Sequence, residues 1–193
     1  MIGILLAAGF SRRFGAEDKL LQPLPDGRLI AVAAAEHLIQ AIPSCVAVVR
    51  AENKVLADML ISRGFELVFC DESKPEMADS LATAIRFSAK FAEADSGFVI
   101  ALADMPYIKA ETIGAVAERL GVGSAIVIPS YQGQRGHPVG FSAKFRHELE
   151  SLQGDEGARS VIKRHANDVT LMACEDAGVL ADIDAPVDLS AKI

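Results

Sequence analysis

Short, uninterrupted apolar runs recur along this chain, each followed by a longer segment with helical spacing, and that alternation leaves few folds open. Ile2 to Ala7, Val46 to Val49, Leu67 to Cys70, Phe98 to Leu102 and Ala125 to Ile128 lack the polar alternation of a half-exposed strand. They read as strands buried on both faces. Between them, Leu29 to Ala41, Asn53 to Arg63, Asp79 to Phe91 and Glu111 to Leu120 read as helices. A β-α-β rhythm demands right-handed crossovers and a mainly parallel sheet, which is the α/β class. Composition agrees: the chain is 51% hydrophobic but only 6% aromatic and has no Trp, so its core is built from Ala, Val, Ile and Leu. At 193 residues, residues 1–193 suit one domain better than two.

After Pro129 the rhythm changes. Tyr131 to Phe141 holds three glycines and Pro138 and reads as a hairpin-like excursion. A helix from Ala143 to Leu152, a shorter one from Ala158 to His165 and a strand from Val169 to Ala173 follow. From Leu180 the tail reads as one more short strand and a terminal helix. Cys45, Cys70 and Cys174 are odd in number and lack C-x-x-C spacing, so they are expected to pack as small apolar residues. No run approaches the roughly 20 apolar residues of a membrane span. The apolar N-terminus has no preceding basic region and runs into Arg12 and Arg13, unlike a signal peptide. A cytoplasmic protein without membrane partners is the expectation.

The first loop carries the most chemistry. Leu5 to Lys19 reads LLAAGFSRRFGAEDK. Small residues at Ala7, Ala8 and Gly9 let backbone N–H groups approach phosphate oxygens, and Gly9 and Gly15 can adopt positive φ. Arg13 and Lys19 then add charge, the order of parts a triphosphate cradle needs. Elsewhere the chain is acidic, with net charge −7 and a sequence pI near 5.1, which favours a small anionic ligand over a nucleic acid. The spacing is not that of the better-known phosphate loops, since Leu20 follows Lys19 and there is no G-x-G-x-x-G. The latter also argues against an NAD(P)-dependent oxidoreductase. Phe98 to Leu102 ends in Ala103-Asp104-Met105-Pro106. Ligands of open α/β sheets bind beyond the carboxyl ends of the strands, so Asp104 and the first loop are expected on one rim. Nucleotide-bound Mg²⁺ takes one or two protein carboxylates, and Asp104 suits that role; turn formation or helix capping is the structural alternative.

Position by position, the first loop resembles the L-A-A-G-x-S-x-R-M-G…K signature of MobA-like nucleotidyltransferases. Gly9, Ser11, Arg13, Gly15 and Lys19 fall on its positions, with Phe14 in place of Met. Ala103-Asp104-Met105-Pro106 is similar to the family's G-D-M-P, and Ala181 to Leu189 to its D-I-D-T-P-x-D-L tail. Gly133 to Val139 resembles the G-x-R-G-H-P of the molybdopterin cytidylyltransferase branch, and Gly154 to Arg159 its G-D-x-G-A-R. Ser80, in Met77 to Ala82, matches a commonly retained Ser.

The resemblance implies a Rossmann-like, three-layer α/β/α nucleotidyltransferase fold with a mainly parallel sheet and an antiparallel C-terminal excursion. It implies nucleotide contacts from Leu6, Ala7, Ala8, Gly9, Ser11, Arg13, Lys19 and Ser80, and acceptor contacts from Arg135, Gly136, His137, Pro138, Asp155 and Arg159. Mg²⁺ (or Mn²⁺) would sit on Asp104 with Asp182 or Asp184, although Asp184 equally suits a helix cap ahead of Pro186. Arg13, Lys19 and Asp104 would be catalytic. The closest branch is the MocA-type molybdenum cofactor cytidylyltransferases, which join CMP from CTP to the phosphate of molybdenum-molybdopterin and release pyrophosphate. Ala8 fits that branch, since the guanylyl branch has Gly there. Competing expectations are another NTP with a guanylyl-type or other phosphate acceptor, and a non-catalytic cofactor chaperone serving a client molybdoenzyme.

Overall fold

The computed structural model describes residues 1–9, 18–70, 76–154 and 157–190. Its strands are β1 (Ile2–Ala7), β2 (Cys45–Val49), β3 (Glu66–Phe69), β4 (Phe98–Leu102), β5 (Ile126–Tyr131), β6 (Gln134–Arg135), β7 (Val139–Phe141) and β8 (Val169–Ala173). Its helices are α1 (Ile30–Ala41), α2 (Lys54–Ile61), α3 (Met77–Ser88), α4 (Ala110–Gly121), α5 (Arg146–Glu150) and α6 (Arg159–Arg164).

All eight strands join one sheet. β1 lies in parallel between β2 and β4, and β3 extends β2 in parallel. Beyond β4 the direction reverses, because β7 pairs antiparallel with both β4 and β5. β6 and β7 occupy successive parts of the same edge of β5, while β8 runs parallel along its other edge. The excursion expected after Pro129 is therefore the hairpin of β5 with β6 and β7, turning at Gln132 and Gly133, both of which have positive φ.

Period-two alternation along the strands divides the core into two layers. Leu5, Ala7, Ala47, Val49, Val99 and Ala101 face α1, α2 and α4, where Leu38, Leu60 and Val116 are buried against them. Ile2, Ile4, Val46, Val48, Phe98 and Ile100 face α3, α5 and α6, meeting Leu81, Ile85, Leu149 and Val161. Fully buried strands on both faces require helices on both faces, which gives the three-layer α/β/α arrangement.

Several elements depart from the sequence reading. α3 starts two residues before Asp79, which puts that carboxylate in the first turn, where the helix dipole favours it. The helix expected over Ala143 to Leu152 winds first as a 3₁₀ turn, Ala143–Phe145, and becomes α-helical only over α5. Among the described residues the tail forms no strand. Its extended residues make one bond toward the sheet, from the Ile183 N–H to the Asp104 carbonyl at 2.9 Å. Asp188 takes the N–H groups of Asp184 and Ala185 at 2.8 and 2.7 Å, and Pro186 has none to offer a ladder. A 3₁₀ turn, Pro186–Ser190, follows. Cys45 is buried, with its thiol pushed up to about 12 by desolvation, whereas Cys70 and Cys174 are only partly buried.

Phe141 is fully buried and meets Phe145 edge-on at 5.9 Å between ring centroids. Phe141→Ala should lower the unfolding free energy by about 3–5 kcal/mol, the range for truncating a buried aromatic, as measured by urea denaturation.

Candidate active site

Strand register gathers the site. Leu6 lies opposite Leu102, and the N–H of Ala103 still reaches the Leu6 carbonyl at 3.1 Å. Both chains therefore leave the sheet side by side, which brings Ala8 and Gly9 next to Asp104. Ile100 lies opposite Val139 in the antiparallel pair, so two residues back along the chain His137 reaches the level of Leu102. Segments far apart in sequence thus end on one rim.

Lys19 opens a 3₁₀ turn, Lys19–Leu21, whose cap is Asp18: one carboxylate oxygen accepts the Leu20 N–H at 2.9 Å. The other oxygen accepts from Asn53 at 2.5 Å and Arg50 at 3.4 Å. Asn53 in turn caps α2 through the Leu56 N–H at 3.2 Å. This network fixes the backbone from which Lys19 reaches inward. Its ammonium donates to Asp104 Oδ2 at 2.7 Å and Asp184 Oδ1 at 3.4 Å. The lysine side chain is 12% exposed, Asp104 25% and Asp184 44%.

Asp184 arrives on a strap, residues 176–188, that crosses the rim. Its anchor is Asp176, a carboxylate 3% exposed. Asp176 accepts the Lys109 N–H at 2.9 Å, the Thr112 hydroxyl at 2.6 Å and the Gly178 N–H at 3.0 Å, so it caps both α4 and the strap's own first turn. The strap lies flat against its neighbours. A Cβ on Gly178 would sit 2.2 Å from the Tyr107 carbonyl oxygen, and one on Gly136 would sit 2.3 Å from that of Val179. The Val179 carbonyl also receives the His137 N–H at 2.9 Å. One peptide segment therefore touches the His137 loop, the backbone of Asp104 and the ammonium of Lys19.

Two cavities open on this rim. One, of about 230 Å³, is lined by Ala8, Gly9, Lys19, Ser80, Asp104 and Asp184. The second, of about 390 Å³, has Ile100, Ile128 and Val139 in its apolar wall and Arg135, Gly136, His137, Arg159 and Lys163 around them. Leu6, Met77 and Leu102 belong to both, so the cavities are neighbours across a thin apolar partition. Met77, 52% exposed at the start of α3, is its most accessible part.

Burial holds His137 below the ordinary imidazole value of 6.5, with Asp104 pulling it up and Arg159 pushing it down. The ring shows an edge to solvent, but its Nδ1 is sealed and has no partner among the described residues.

Other expected positions fall elsewhere. Ala7 packs into the core under α1, away from the cavity. Gly9 does not use the positive φ open to it, and a Cβ there would meet nothing among the described residues within 4 Å. Asp182 is exposed and does not line the cavity, because the chain leaves Asp184 facing Lys19 instead. At the head of the final turn Asp188 accepts the N–H groups of Asp184 and Ala185. Pro138 is buried behind His137. Ser11, Arg13, Gly15 and Asp155 lie outside the described residues.

Sequence reasoning passed over Asp18, Asn53 and Asp176: each caps its own next turn, a local pattern, but their bonds to Asn53, Asp18 and Lys109 are long-range and leave none. Lys163 did leave one: it lies four residues after Arg159, on the same face of α6.

Residues 3–169 match the MobA-like NTP transferase domain. The chain belongs to this family. It is thus a nucleotidyltransferase, and its relatives cover nearly its whole length. Purine catabolism protein PucB of Bacillus subtilis is 28% identical over 194 residues, spanning 96% of this chain and 92% of PucB. Nicotine blue oxidoreductase of Paenarthrobacter nicotinovorans is 27% identical over 189 residues, spanning 94% and 91%. The crystal structure of Rv0371c from Mycobacterium tuberculosis H37Rv aligns at a TM-score of 0.82 with 26% identity, covering 97% of this chain and 95% of that one. A complex of the same protein with manganese aligns at 0.78 with 24% identity, covering 97% and 94%. Among the described residues, no helix of this MobA-like chain is long and apolar enough to cross a membrane.

A histidine held below its ordinary value binds fewer protons folded than unfolded in the window beneath pH 6.5. Stability therefore rises with pH through that window and falls on acidification. An NMR titration should find His137 still neutral at pH 6.5, and His137→Gln should flatten the acid limb of the stability curve.

Proposed function

We propose that this nucleotidyltransferase transfers CMP from CTP to the terminal phosphate of molybdenum-molybdopterin, releasing pyrophosphate. The observation that carries the reading is the pairing of cavities: one walled by Lys19 and two carboxylates, the other apolar with Arg135, His137 and Arg159 around it, sharing Leu6, Met77 and Leu102. A nucleotide in the first and a flat, phosphate-bearing heterocycle in the second would meet at the partition.

The donor set suits a hard divalent cation. Oxygens of Asp104 and Asp184 already converge on one ammonium, at 2.7 and 3.4 Å, and carboxylate oxygens completed by phosphate and water are what Mg²⁺ and Mn²⁺ accept. The manganese complex of Rv0371c supports the same class of ion. When bound, the cation would supply charge neutralisation at the reacting phosphates.

The chain's own residues then position and stabilise charge; nucleotidyl transfer needs no protein nucleophile. An acceptor phosphate oxygen attacks the α-phosphorus in line, the bond to the bridging oxygen breaks, and pyrophosphate leaves with the electron pair. Lys19 and Arg13 neutralise the departing pyrophosphate. Ser11 and the backbone of Ala8 and Gly9 hold phosphate oxygens, with Ser80 beside the nucleotide. Arg135 and Arg159 bind the acceptor's anionic groups through their forks. His137, neutral near pH 7, can offer an N–H to the acceptor phosphate without adding charge. By the family resemblance, Asp155, Gly136 and Pro138 would contact the acceptor. The redox activity named for the Paenarthrobacter relative does not suit this chain, whose sequence has no dinucleotide-type glycine pattern.

Incubating the protein with the molybdenum-pterin acceptor, Mg²⁺ and each NTP in turn, then identifying the dinucleotide formed, tests the reading; no CTP-dependent product or pyrophosphate would remove it. Lys19→Ala and Asp104→Ala should each lose at least about a hundredfold in kcat, as expected on removing one electrostatic stabiliser. Near-normal turnover in either variant would refute that residue's role.

A further inference from the structure

We propose that Lys19 is the built-in counter-ion of the acidic pair, so that a divalent cation enters this site only together with a nucleotide. The proposal rests on the reading of Asp104 and Asp184 as cation-binding acids, and extends it to the order of binding.

Three observations carry it. First, the Lys19 ammonium is bonded to both carboxylates at once, at 2.7 and 3.4 Å, the position where a cation shared by them would lie. Second, the lysine does not hang from a free loop: Asp18, Arg50 and Asn53 pin the turn from which it projects. Third, the described residues contain no cluster of three or more His, Cys, Asp or Glu side chains able to hold a metal ion. Two carboxylates alone leave most of the shell of a six-coordinate cation to other oxygens.

The consequences follow from charge. Among the described residues, one ammonium against two carboxylates leaves one negative charge, a weak lure for a hydrated divalent ion. That ion would have to break a charge-assisted bond and leave the ammonium facing it, like charge against like. A triphosphate changes both conditions. Its oxygens complete the cation's shell, and they give the ammonium a new anionic partner in the same cavity, beside Ala8 and Gly9. The exchange then balances: the carboxylates trade the ammonium for the cation, and the ammonium trades the carboxylates for phosphate. The ligand recognised is the metal–nucleotide complex, and the nucleotide-free protein is protected from idle metal loading.

The test is a Mn²⁺ titration, with the free ion followed by electron paramagnetic resonance, on wild type, Lys19→Met and Lys19→Gln, each alone and with α,β-methylene CTP. Wild type should bind Mn²⁺ weakly alone and much more tightly with the analogue. Both variants should bind Mn²⁺ alone at least about tenfold more tightly than wild type, the effect of removing one charge-assisted competitor. Unchanged or weaker Mn²⁺ binding by both variants in the nucleotide-free arm would overturn the proposal, and that arm does not depend on which base the protein prefers. Asp104→Asn separates the two readings. Loss of Mn²⁺ binding with the analogue upholds the acidic pair as the cation site, so that a failure confined to the Lys19 variants falls on the counter-ion alone. Tight binding retained by Asp104→Asn would overturn the cation site and this proposal together.

Discussion

The register of β4 against its two neighbours is the constraint on which the rest of this molecule depends. Leu102 opposite Leu6, and Val139 opposite Ile100, determine what lies beside what at the carboxyl rim. In a sheet buried on both faces, a slip of one residue would turn every strand side chain into the wrong layer. The two apolar layers that hold the fold together therefore also hold the register, and the register brings Ala8, Asp104 and His137 to one rim. Core packing and site geometry are one problem here, solved by the same aliphatic side chains.

Above that rim, polar groups take over where the sheet stops. Asp18 fixes Lys19, while Asp176 ties the start of α4 to the strap that delivers Asp184 and backs the His137 loop. Both are acceptors for several donors at once, Asp176 while nearly sealed from water. A buried carboxylate is tolerable only when its lone pairs are satisfied, and three donors do so for Asp176. The glycines at 136 and 178 belong to the same construction, because any side chain there would push the strap off its neighbours. The acid next to the lysine and the histidine next to the arginines consequently share one mechanical base, and Asp104 is close enough to His137 to influence its protonation.

Much of this was legible in the residues. The apolar runs announced the central strands, and β1 and β4 have the limits their hydrophobicity suggested, since nothing but a strand buried on both faces suits Ile2–Ala7 or Phe98–Leu102. Lys19, Asp104, Ser80, Arg135, His137 and Arg159 were all nominated from local motifs, and all line the two cavities. The tail misled, because Ala181 to Ile183 has strand-like alternation but its backbone partner is a loop carbonyl, not a ladder. Asp182 and Asp184 were indistinguishable for the same reason: alternation says that they share a face, not how far each reaches over the rim. Asp18, Asn53 and Asp176 looked like ordinary caps of the turns that follow them, and nothing local showed that Asp18 also binds Asn53 or that Asp176 also binds the start of α4.

Local order, then, was enough to specify the α/β class, the family and the residue types of the site, because burial pattern and phosphate chemistry act over a few neighbouring positions. Which acid faces Lys19, that one lysine answers two carboxylates, and that the two cavities share a wall were decided only in three dimensions. Those facts depend on strand register and on hydrogen bonds joining residues 85 and 165 positions apart, distances over which a linear pattern carries no geometry.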